Sequence, residues 1–178
     1  MKRIVIVEDR LRRAVALAEQ FEGLKEEYPE WGIQDIVICF FCERPIEKEQ
    51  DIRLARDSCR FSIKDVGILN FNKIMDEYME DEETFLIIDF FLEGDGSDGE
   101  PLNRLNIRYA RNKDRYKSNR LWFYTATGSD NEMILGKLLG KEHMVYVAEV
   151  DDDLLKLELN NTDFRRVLEN EQMINAEG

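Results

Sequence analysis

Apolar residues in this chain fall into two patterns, short uninterrupted runs and longer stretches in which they recur every three or four positions. Residues 3–7 form an Ile- and Val-rich run that stops at Glu8-Asp9, as a buried strand does. Leu11, Ala14, Val15, Ala18, Phe21 and Leu24 then mark one face of a helix that fades before Tyr28-Pro29. Residues 36–41 predict a second strand, and Leu69, Phe71, Ile74, Met75, Tyr78 and Met79 a second amphipathic helix. A third strand over 84–89 ends at Asp89 and breaks into a loop of Gly94, Asp95, Gly96, Asp98 and Gly99. Pro101 starts a helix through Leu102, Leu105 and Tyr109. Residues 121–126 predict a fourth strand, Met133, Ile134, Leu138 and Leu139 a short helix, and residues 144–148 a fifth strand ending at Glu149. Leu155, Leu157 and Leu159 alternate as in a strand, whereas Asp151, Asp152 and Asp153 suit a helix start, and both assignments stand open. Thr162 or Asp163 can cap a last helix lined by Phe164, Val167, Leu168 and Ile174.

Runs without polar alternation suit strands covered on both faces, and parallel strands need crossover connections. The expected fold is therefore α/β, a doubly wound five-stranded parallel sheet with helices on both faces. With 178 residues, 43% of them hydrophobic, the chain is expected to make one domain over 1–178 with its core over 2–168. Residues 43–65 mix acids and bases with few apolar anchors and are expected as an insertion between strands two and three.

Charge narrows the partners. A net charge of −13 repels phosphate backbones, so nucleic acid is not expected as the main partner. Residues 76–100 hold eleven acids and no base, whereas 104–120 hold seven bases. The basic stretch reads either as a docking face for an acidic partner or as a solvated helix face. No run approaches the roughly 18 apolar residues of a membrane span, and a cytoplasmic location is expected. Cys39, Cys42 and Cys59 read as packing thiols in a reducing compartment. The acids after Gly94 lack the ligand spacing of an EF-hand.

The chemistry gathers at the strand ends. Alone, Asp89 reads as a turn-capping residue. A parallel sheet, however, delivers Glu8, Asp9, Asp89 and Thr125 to one edge, where ligands of open α/β sheets sit. Converging carboxylates repel, and a hard divalent cation such as Mg2+ relieves that repulsion through oxygen ligation.

On those residues and their order the chain resembles the receiver domain of two-component response regulators, a flavodoxin-like fold, from Lys2 to about Leu168. The resemblance implies that Glu8 and Asp9 hold Mg2+ with Asp89 and the backbone carbonyl of Phe91. It implies that Asp89 accepts a phosphoryl group from a histidine kinase or phosphotransfer protein, that Thr125 hydrogen-bonds that group, and that Tyr146 switches with it. A downstream protein partner is then implied, because no output domain is attached. Where the family has a lysine this chain has Glu149. At about 4 Å and an effective dielectric near 20, one unit-charge contact is worth about 4 kcal/mol, so that exchange opposes a nearby phosphoryl group if the side chain points inward. Arg10 reads either as a substitute cation or, with more weight as a first-turn residue, as a solvated side chain. The leading expectation is a stand-alone receiver, not an enzyme. The alternative is a pseudo-receiver that binds partners without phosphorylation, and a Mg2+-dependent phosphohydrolase using Glu8, Asp9, Asp89 and Asp151 ranks last, since no positioned base supports it.

Overall fold

The computed structural model describes residues 2–40, 62–65, 76–78, 80, 81, 83–90, 92, 121–125, 133, 137, 144–151, 154–159, 165, 166 and 168, with backbone alone at 62–65, 151 and 154. Within them β1 (Lys2–Glu8), β2 (Ile33–Phe40), β3 (Ser62–Asp65), β4 (Thr84–Asp89) and β5 (Leu121–Tyr124) form one parallel sheet in the order β3-β2-β1-β4-β5. The protein is thus α/β with a parallel sheet, and the four strands expected at 3–7, 36–41, 84–89 and 121–126 all lie in it.

Alternation places Ile4, Ile6, Ile36, Ile38, Phe85, Ile87, Trp122 and Tyr124 in one core cluster with α1 (Leu11–Glu27). Val5, Val7, Val37, Cys39, Leu86, Ile88 and Phe123 alternate with them and are equally buried. Both faces of β1, β2, β4 and β5 are therefore buried, which is why these strands carry little polar alternation. On α1, Ala14 and Ala18 have no exposed surface, and their small side chains let the helix come close enough to bury Leu17 and Phe21. Each such large side chain contributes about 1.5–3 kcal/mol on burial. A short 3-10 turn, η1 (Pro29–Trp31), follows, with Tyr28 stacked on Trp31 at 4.4 Å. Gly32, at φ 67°, redirects the chain into β2 in a backbone region that a side chain disfavours.

Two expectations are corrected. The stretch 43–65 is not wholly an insertion, because its last four residues make the edge strand β3, parallel to β2. Ser62-Ile63-Lys64-Asp65 has one strongly apolar residue and so carries no strand pattern, and lysine is a common edge residue. Second, 144–148 is not a full fifth strand. Met144 bridges Phe123 in parallel, and the Val145 N–H donates to the Phe123 carbonyl at 2.8 Å. The chain then leaves the sheet to form a hairpin of β6 (Val147–Asp151) and β7 (Leu154–Leu157). Leu155 packs into the α1 core, which settles that stretch as strand. The Gln20 side chain of α1 runs along β7, its amide donating to the Leu155 carbonyl at 2.6 Å and accepting from the Leu157 N–H at 2.6 Å.

Residues 76–78 and 80, 133 and 137, and 165, 166 and 168 are helical, within three of the expected helices. The helix expected after Pro101, the basic stretch 104–120, Cys42 and Cys59 lie outside the described residues. Cys39 is buried on β2. No described helix is long and apolar enough to cross a membrane.

Candidate metal centre

Strand order determines where a ligand can sit. From β1 the chain crosses to β2 on one side, while β4 and β5 lie on the other. The sheet therefore has its topological switch point between β1 and β4, and the crevice lies beyond their carboxyl ends. Glu8 ends β1 and Asp89 ends β4. Pairing of Val7 with Ile88 makes those ends level.

Glu8 is fully buried and held from three directions. The backbone N–H groups of Asp9 and Arg10 donate to its Oε1, each at 3.0 Å, as the chain turns into α1. The Tyr124 hydroxyl donates to its Oε2 at 2.6 Å, within the range of a charge-assisted bond. A carboxylate offers about four lone-pair sites, so Oε1 is saturated and Oε2 keeps one. Glu8 can thus give a cation a single lone pair.

Asp89 is 5% exposed and Asp9 is half-buried. One oxygen from each of Glu8, Asp9 and Asp89 lies within 4.8 Å of the others. Burial pushes the Glu8 carboxyl well above the usual glutamate range, the Asp89 charge adds to this, and the Tyr124 hydrogen bond only partly opposes it. Burial also raises the Tyr124 phenol, followed by the charges of Glu8 and Asp89, so its hydroxyl stays protonated and remains a donor. Crowded, partly desolvated carboxylates of this kind are relieved by a proton or by a cation. All three donors are hard oxygens, and the set can hold a divalent ion.

No protein-family model, no curated protein and no solved structure matches the chain. What the site can do therefore rests on its own geometry.

Of the residues expected at the site, the structure brings together Glu8, Asp9 and Asp89. Thr125 is buried directly after β5, beside Tyr124. Tyr146 is half-buried between the Met144 bridge and β6, and its carbonyl accepts from the Glu158 N–H at 2.8 Å. Phe91 lies outside the described residues. Glu149 is not among the clustered acids, because its carboxylate pairs with the Arg13 guanidinium of α1 at 2.8 Å. Arg10 contributes its backbone N–H, while its side chain is exposed. Asp151 falls on β6, where its backbone pairs with Leu154. The residue that sequence reasoning missed is Tyr124. The available signal was positional, since an aromatic hydroxyl ending the neighbouring strand stands in register with Asp89.

Proposed function

We propose that the protein is a receiver-like signalling domain that binds a divalent cation, Mg2+ by preference, and accepts a phosphoryl group on Asp89. The observation that carries this reading is the convergence of Glu8, Asp9 and Asp89 at the switch point of a parallel sheet. In the complete fold, helices cover both faces of a doubly wound sheet, with Met144 and Val145 at the place beside β5 where a further strand would pair.

An Asp89 carboxylate oxygen attacks phosphorus of an acyl phosphate or of a kinase phosphohistidine. A new P–O bond forms to Asp89, the bond from phosphorus to the donor breaks, and its electron pair leaves with the donor. Glu8 is prealigned by its three donors, and Thr125, buried directly after β5, is the residue to which the resemblance gives the hydrogen bond to the transferred group. A bound cation would offset the charge of the carboxylates and the phosphoryl oxygens. Such a domain has little covalent work of its own to do and acts through a downstream protein.

A second reading has its own support. The family lysine position carries Glu149, and Glu149 is committed to Arg13. A pseudo-receiver that binds partners without phosphorylation would need no cation at that position. Incubation with acetyl phosphate and magnesium, followed by intact-mass measurement, separates the two. One added phosphoryl group, lost in Asp89→Asn, is the expected outcome; an unmodified wild-type chain would leave the pseudo-receiver.

A further inference from the structure

The Tyr124–Glu8 hydrogen bond has no part in the family resemblance, yet it joins β5 to the acid cluster with both partners fully buried. Tyr124 is wholly enclosed, and its ring packs in the α1 core cluster with Ile87 and Trp122. Register pairs it with Asp89, and its hydroxyl reaches past that residue's strand to Glu8 on β1. The bond therefore ties the tips of two strands that β4 separates.

We infer that Tyr124 is the positioning residue of the cation site, fixing Glu8 so that its one free lone pair faces Asp9 and Asp89. This rests on the cation-binding reading above and adds to it the means by which Glu8 is aimed. The backbone bonds hold Oε1 and the phenol holds Oε2, so that together they fix the carboxylate plane about the Cγ–Cδ bond. A monodentate, preset glutamate suits a small octahedral cation, which tolerates little distortion, better than Ca2+, which takes flexible and often bidentate carboxylates. Hydrogen-bond partners of ligating carboxylates set both orientation and basicity, and losing one weakens metal binding by about 10–100-fold.

Calorimetric titration with Mg2+ alone, then with Mn2+ alone, tests this on wild type and Tyr124→Phe, which deletes one oxygen and keeps the ring. The dissociation constant is expected to rise about 10–100-fold in Tyr124→Phe while the circular dichroism spectrum is retained. In a Glu8→Gln background, where the phenol no longer aims a charge, the same substitution should cost far less. A purely structural tyrosine would lower the melting temperature and leave the dissociation constant unchanged, and that result overturns the inference. So does an equal loss of affinity in both backgrounds. A wild-type chain that binds neither ion overturns the cation-binding reading itself, whereas binding by wild type with no effect of Tyr124→Phe overturns only the role of Tyr124.

Discussion

Glu8 concentrates the conflict at this site, a carboxylate without solvent, beside Asp89 and Asp9. In chelator-treated protein its folded pKa stands above the unfolded one, so the folded chain binds a proton that the unfolded chain gives up. That contribution is complete below about pH 4 and is lost as pH rises through the raised folded value. The stability difference between wild type and Glu8→Gln should therefore shrink or reverse with rising pH in EDTA, as read by thermal melts. Magnesium, which displaces the proton, should restore it at neutral pH; a difference independent of pH would contradict the assignment. The acids of the site were legible because each ends an apolar run, and a charge in that place has few packing explanations. Tyr124 was not, because a tyrosine inside Leu121-Trp122-Phe123-Tyr124 reads as one more core aromatic until strand register is known.

Among the elements, the buried strands β1, β2, β4 and β5 and helix α1 were legible from run length and period alone, since burial on both faces leaves no other pattern possible. The hairpin of β6 and β7 was not. Its first strand carries the exposed Glu149 and Val150 and its second the buried Leu155 next to the exposed Lys156, a half-exposed pattern that a short helix can imitate. The Arg13–Glu149 pair helps anchor this hairpin, with Arg13 7% and Glu149 36% exposed. Glu149→Gln removes the charge that faces a buried guanidinium and is expected to cost about 1–3 kcal/mol, measured by urea unfolding. Glu149→Lys, which sets two cations together, should cost more. If Glu149→Lys is as stable as wild type, the pair carries no weight in holding the hairpin to α1.

At the scale of the whole molecule, the order of strands matters more than their number. Placing β2 and β4 on opposite sides of β1 is what opens a crevice at the carboxyl ends of β1 and β4, and an edge strand such as β3 can be added without disturbing it. Alternation of strands and helices implied a parallel sheet from sequence, whereas the position of β3 depends on pairing that four mostly polar residues do not advertise. An unpaired strand edge is also a place where a second copy of a chain can add, and here the Gln20 amide has a wider consequence. Its carbonyl and amide nitrogen occupy the Leu157 N–H and Leu155 carbonyl in the way a peptide group of an adjoining strand would. The rim of β7 that faces α1 is thus closed to strand addition by a second chain, a common route to fibrils and swapped dimers. Gln20→Ala should reopen that rim and give self-association that grows with concentration in light scattering, while Gln20→Glu, which keeps only the acceptor, should do so more weakly. A strictly monodisperse Gln20→Ala chain at all concentrations would show that the rim is guarded by something else.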